Sequence, residues 1–120
     1  MPRILYIEDD ANNRLLVRRI LMAEDFEVME ATNAHDGIAM AAASPPDLIL
    51  MDISMPDMDG LTATNKIRGM PAIAHLPIVA LTANAMTGDR EMILKAGCDG
   101  YISKPINIDT FVDDIMQFLK

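Results

Sequence analysis

The stretch "LILMDISMPDMDG", residues 48–60, passes from an oily run into an acidic loop at one residue, Asp52. Residues 47–51 read as a strand, because the run is short, apolar from Leu48 to Met51, and preceded by Pro45-Pro46, which forbids continuation of a helix. A strand with one wet face would alternate apolar and polar residues. A continuous apolar run instead demands cover on both faces, which means a parallel sheet with helices on either side. The carboxylate of Asp52 then stands at the carboxyl end of a buried strand. Beyond it, Pro56 stiffens the loop, Asp57 and Asp59 read as turn and cap residues, and Gly60 relieves crowding where the next helix begins.

The rest of the chain repeats this alternation. Strands are expected at Arg3 to Glu8, Glu27 to Ala31, Ile78 to Leu81 and Gly100 to Ser103. Helices are expected at Asn12 to Glu24, Asn33 to Ala43 with Asn33 as N-cap, Leu61 to Arg68, Thr87 to Ala96 closed by Gly97, and Ile108 to Lys120. Five βα units make an α/β doubly wound sheet, whose functional crevice lies beyond the carboxyl ends of the strands.

A chain of 120 residues, 51% of them hydrophobic, suits one domain, 1–120. The net charge of −8 and the scattered basic residues argue against nucleic acid and anionic membranes as partners. A single cysteine, Cys98, permits no internal disulfide, and the first apolar run is cut by Glu8-Asp9-Asp10, so no signal peptide is expected. These features fit the cytoplasm. Cys98 is expected to be a small buried side chain, His35 and His75 to be exposed, and the eleven methionines to serve as adaptable core filler.

The strand ends carry Glu8, Asp9 and Asp10, then Asp52, Thr82 and Lys104-Pro105. Singly, each has an ordinary reading as a cap, a turn hydroxyl or a solvated lysine. Their convergence is what matters. Carboxylates gathered at one edge repel unless a cation joins them, and hard oxygen donors without His or Cys suit Mg²⁺ better than Zn²⁺. With an ammonium and a hydroxyl added, the set describes a site for a phosphoryl group.

The segments "ILYIEDD", "LILMDISMPDMDG", "PIVALTA" and "YISKPI" resemble, in order and over essentially the whole chain, the receiver domain of two-component response regulators. The chain looks most similar to single-domain receivers of the chemotaxis and cell-division types. The resemblance implies the flavodoxin-like receiver fold, with five strands in the order 2-1-3-4-5. It also implies Asp52 as phospho-acceptor, Mg²⁺ as cofactor held by Glu8, Asp9, Asp52 and the backbone carbonyl of Ser54, Thr82 as the switch hydroxyl, and Lys104 as the lysine that pairs with the phosphoryl group. Tyr101 matches the aromatic that moves inward with the switch, and Lys104-Pro105 is expected to be cis.

The implied partners are a histidine kinase or histidine phosphotransfer protein upstream, and a protein target on the face of the fourth helix, fifth strand and fifth helix. A monomer or weak homodimer is expected. So is the absence of enzymatic turnover beyond Mg²⁺-dependent self-phosphorylation and slow self-dephosphorylation. A receiver fragment of a larger regulator or hybrid kinase, or a phosphorelay shuttle, is the alternative.

Asp10 departs from the Asn common in the family, and Ser54 and Asn84 occupy positions that tune loss of the phosphoryl group. Two other classes fit less well. A flavodoxin-like flavin carrier needs a Ser/Thr/Gly-rich phosphate loop where this chain has the acidic "EDDANN". A phosphohydrolase of the haloacid dehalogenase type needs a second Asp where Ser54 stands.

Overall fold

The computed structural model describes residues 2–53, 55, 57–83 and 87–119, the last segment with side chains from residue 90 onward. Its elements are β1 (Arg3–Ile7), α1 (Ala11–Ala23), β2 (Glu27–Ala31), α2 (Ala34–Ala43), β3 (Leu48–Asp52), α3 (Gly60–Arg68), β4 (Ile78–Thr82), α4 (Thr87–Lys95), β5 (Gly100–Ser103) and α5 (Ile108–Met116). The strands form one five-stranded parallel sheet in the order β2-β1-β3-β4-β5. The doubly wound architecture and its strand order are therefore as expected.

The three strands with continuous apolar runs, β1, β3 and β4, are central and almost wholly buried, whereas β2 and β5 are edges with mixed burial. Successive strand residues point to opposite faces. Leu5, Ile7, Ile49 and Met51 accordingly join an apolar layer with Ala34, Ala41, Ala63, Ile67 and Ile93 of α2, α3 and α4. Ile4, Tyr6, Leu48 and Leu50 join the opposite layer, with Val17 and Leu21 of α1 and Phe111 and Ile115 of α5. Because α1 and α3 leave β1 and β3 toward opposite faces, a crevice opens between these adjacent strands at their carboxyl ends.

Local chemistry sets the helix ends. Asp10, Asn33, Asp59 and Asn107 are N-caps whose side chains accept backbone N–H bonds from the first turns of α1, α2, α3 and α5. Gly97 follows α4 at φ 111°, the left-handed region that favours glycine. The last helix is shorter than its apolar spacing suggests. It ends at Met116, after which Phe118 N–H donates to Ile115 O and Leu119 N–H to Met116 O, a tighter i→i−3 turn. This turn lays the Phe118 ring against Gly100, where a Cβ would collide with it. Lys120, the expected end of that helix, lies outside the described residues.

The methionines divide. Met51 and Met55 are buried and Met29, Met40, Met58 and Met70 pack against the core, but Met22, Met92 and Met116 are exposed, so the filler reading fails for those three. Cys98 is buried with its Sγ 3.5 Å from Thr64 Oγ1, and burial pushes its thiol pKa up. His35 and His75 are exposed. Among the described residues, no helix is long and apolar enough to cross a membrane.

Gly60 is where the fold constrains the crevice most tightly. A Cβ there would lie 2.7 Å from the Asp52 carbonyl oxygen and 2.9 Å from Ile53 Cα, backbone atoms that cannot swing away. Gly60→Ala is expected to cost about 2 kcal/mol through overpacking. Gly69→Ala, whose nearest neighbour would be 3.5 Å away, should be neutral or mildly stabilising. Urea denaturation of the two variants checks the contrast; equal effects would show that Gly60 is not packed against the end of β3.

Candidate functional site

The register of the sheet brings the polar strand ends together. Ile7 of β1 pairs with Met51 of β3, and Asp52 pairs with Leu81 of β4. Thr82 in turn pairs with Ser103 of β5, and its carbonyl accepts the Lys104 backbone N–H at 2.8 Å. Glu8, Asp52, Thr82 and Lys104 thus stand at the ends of four consecutive strands in space, β1, β3, β4 and β5. Glu8 and Asp52 are 1% and 3% exposed, Thr82 is also buried, and Asp9 is exposed at the mouth. The Lys104-Pro105 peptide is cis, as expected.

Lys104 ties the acids together. Its Nζ lies 3.0 Å from Asp52 Oδ1 and 3.2 Å from Glu8 Oε1. Glu8 Oε1 also accepts the Tyr6 hydroxyl at 2.9 Å, and Glu8 Oε2 meets the Asp10 backbone N–H at 3.4 Å. Burial pushes the Glu8 carboxyl above the usual carboxylate range, helped by the hydrogen bond and charge of Asp52 and opposed by Lys104 and Tyr6. Burial alone would lower the Lys104 ammonium, but bonding to Asp52 and Glu8 outweighs it and the lysine is held above its ordinary value. The Tyr6 phenol is raised by burial and then by the neighbouring Glu8 carboxylate.

A divalent cation fits this donor set. Glu8, Asp9 and Asp52 each offer a carboxylate oxygen, all within 4.8 Å of one another, and no His or Cys is among them. Oxygen-only donors from adjacent loops match a hard cation such as Mg²⁺. One lysine against three carboxylates leaves a net negative charge that such a cation would neutralise.

The remaining sequence-derived residues sort clearly. Asp57 and Asp59 are structural: Asp59 caps α3, while Asp57 accepts the N–H groups of Ala34 and His35 at 3.3 and 3.2 Å, tying the β3-α3 loop to the start of α2. Asp10 caps α1 through Asn12 and Asn13, so its charge serves the helix N-terminus. Tyr101 lies half-buried on β5, its hydroxyl accepting from Arg90 Nε at 2.8 Å and the guanidinium carbon lying 5.7 Å from the ring centroid. Ser54, Pro56 and Asn84 fall outside the described residues.

Two residues absent from the sequence-derived set touch the acids. Tyr6 precedes Glu8 by two positions, so both side chains lie on the same side of the sheet, but within an apolar run the tyrosine reads as core and the spacing does not single it out. Arg14 of α1 donates to the Glu8 carbonyl at 2.8 Å and reaches Glu30 of β2 at 3.8 Å. Its place on a helix, six residues away, gives no sequence signal.

Known proteins resemble this chain over nearly its whole length. The family model of the response regulator receiver domain matches residues 4–116. The polar-differentiation response regulator DivK of Brucella anthropi is 38% identical over 120 residues, covering 99% of this chain and 98% of that protein. Among solved structures, the receiver domain of the sensor histidine kinase PA1611 from Pseudomonas aeruginosa, described with a magnesium ion coordinated in its active-site cleft, is 32% identical. It has a TM-score of 0.90 and covers 98% of this chain and 96% of that one. The chemotaxis protein CheY4 of Vibrio cholerae superposes with a TM-score of 0.94 at 25% identity, with 99% of both chains covered.

Proposed function

This chain belongs to the response regulator receiver domain family, and from that premise we propose that Asp52 is its phospho-acceptor, taking a phosphoryl group from a histidine kinase or histidine phosphotransfer protein. The observation that carries the reading is the convergence of Glu8, Asp9 and Asp52 oxygens within 4.8 Å at the crevice between β1 and β3. The whole chain, 1–120, is read as one such domain.

The Asp52 carboxylate attacks the phosphorus of the donor phosphohistidine. An oxygen–phosphorus bond forms, the nitrogen–phosphorus bond breaks, and the donor imidazole leaves with the electron pair of that bond. Glu8, Asp9 and Asp52, with the Ser54 backbone carbonyl, are the groups to hold Mg²⁺, which when bound offsets charge on the transferring oxygens. The rest is positioning by the chain. The buried strand β3 fixes the nucleophile, and Lys104, already bonded to Asp52, offers its ammonium to the arriving anion. Thr82 supplies a hydroxyl from the neighbouring strand end.

The product carries roughly 1.5 to 2 added negative charges at the end of β3. Thr82 and Lys104 are placed to respond, and inward movement of Thr82 makes room for the Tyr101 ring. That rearrangement alters the α4-β5-α5 face, which is read as the docking site of a downstream protein target. The chain turns over no separate substrate in this scheme, and the cytoplasm, where kinases meet ATP, is its expected compartment. The 32% identity to a receiver domain of a sensor histidine kinase favours a second reading, in which the same chemistry serves a hybrid kinase or a phosphorelay.

Incubation with a histidine-phosphorylated phosphotransfer protein tests the central step. Label should move to this chain in a form released by hydroxylamine, which cleaves acyl phosphates. Label that resists hydroxylamine, or none from a panel of such donors, would contradict the proposal.

A further inference from the structure

We propose that Tyr6 is a positioning residue of the acidic site, its phenol fixing the Glu8 carboxylate so that one oxygen serves the protein's own donors and the other faces a divalent cation or its bound water. The proposal rests on the receiver reading above and extends it to a residue that contributes no ligand atom.

Tyr6 is fully buried in the apolar layer formed with Val17, Leu21, Phe111 and Ile115, so its ring is held by packing and its hydroxyl must find a partner inside the protein. The partner is Glu8 Oε1, at 2.9 Å. Lys104 Nζ reaches the same oxygen at 3.2 Å, so Oε1 is engaged twice. Oε2 meets the Asp10 amide at 3.4 Å, beyond the usual range of an N–H···O bond, and retains acceptor capacity. The carboxylate is therefore turned by two donors on one side. Partners that orient a ligand from behind in this way commonly govern affinity for the metal. The neighbouring residues Ile4, Leu5 and Ile7 are aliphatic, so the phenol is a specific feature of this one strand position.

The alternative is that the hydroxyl merely satisfies itself on the nearest acceptor. In that case its removal would cost stability yet leave cation binding unchanged in the folded protein.

Calorimetric titration of the metal-free protein with magnesium chloride separates the two. Tyr6→Phe, which removes one oxygen and keeps the ring, should bind Mg²⁺ roughly tenfold more weakly than the wild type. A second measurement uses the optical simplicity of the chain, which has two tyrosines and no tryptophan. In Tyr101→Phe, the Tyr6 absorption and emission should change saturably with Mg²⁺, and Glu8→Gln in that background should abolish the change.

Equal Mg²⁺ affinity in the wild type and Tyr6→Phe would overturn the proposal while leaving the receiver reading intact. Should Tyr6→Phe fail to fold, the Tyr6 spectrum decides alone, and a spectrum unmoved at saturating Mg²⁺ overturns it. A wild-type protein that binds no Mg²⁺ would remove the metal site and the Tyr6 role together.

Discussion

Asp52→Asn is expected to abolish phosphoryl uptake while yielding a folded protein at least as stable as the wild type. The loss is complete because an amide lacks the nucleophilic carboxylate oxygen. The gain in stability has an electrostatic origin. Asp52 and Glu8 are both buried and share one ammonium, and the proximity of Asp52 is among the causes that hold the Glu8 carboxyl above its ordinary range. Asparagine keeps the shape of the side chain and removes one of the two like charges, leaving Lys104 to Glu8. In metal-free buffer at neutral pH the variant should gain on the order of 1 kcal/mol, the size of a typical single-substitution effect. Urea denaturation measures it. Added Mg²⁺ should close the gap, since the cation offsets the same repulsion in the wild type. A variant less stable than the wild type under metal-free conditions would mean that Asp52 supports the fold through its bond to Lys104 more than it burdens the fold by its charge.

Lys104→Met is the second change of large effect, and it acts in the opposite direction. Methionine preserves the apolar stem but withdraws the charge, so two buried carboxylates face one another without the ammonium that bridged them. Removing one partner of a buried ion pair costs about 3 kcal/mol or more. A loss of about that size is expected here, since Glu8 and Asp52 are both buried. The pH dependence follows from Glu8. Its folded pKa lies above the ordinary 4.5, so between 4.5 and that folded value the native state holds a proton that the unfolded chain has released. Stability falls as pH rises through this window and is untouched by Glu8 below it. Without Lys104, which opposes the shift, the window reaches to higher pH. The deficit of Lys104→Met should therefore shrink as pH is lowered toward 4.5, a trend that denaturation at a series of pH values would reveal. A deficit independent of pH would trace the loss to packing of the stem. The rate of phosphoryl uptake should also fall, by about a hundredfold, as expected for losing one charged group aimed at the transferring oxygens.

The origin of these effects was largely legible in the sequence, for a physical reason. A strand buried on both faces must be apolar throughout, so β1, β3 and β4 announce both their central position and the abruptness of Glu8, Asp52 and Thr82 at their ends. The edge strand β2 is weak in sequence because it is weak in burial. The identity of the acids thus follows from periodicity, and the roles proposed for them from the family resemblance.

What periodicity does not carry is which polar group a given side chain touches. Tyr6 reads as one more core residue until its hydroxyl is seen on Glu8, and Arg14 as one more surface arginine until it reaches the Glu8 carbonyl. The end of α5, at Met116, differs from its apolar spacing for a related reason. Phe118 keeps the helical spacing set by Phe111 and Ile115, yet its ring is drawn against Gly100 by a turn that the spacing alone cannot distinguish from a continued helix.

The most direct test of the account is to find the phosphorylated residue itself. The protein would be incubated with Mg²⁺ and acetyl phosphate, reduced with borohydride to convert any acyl phosphate on aspartate to homoserine, and mapped by peptide mass spectrometry, with a chelator control. The account predicts conversion at position 52, lost when Mg²⁺ is chelated. Conversion at Asp9 in place of Asp52, or a phosphoryl group retained on a residue that borohydride leaves unchanged, would contradict it.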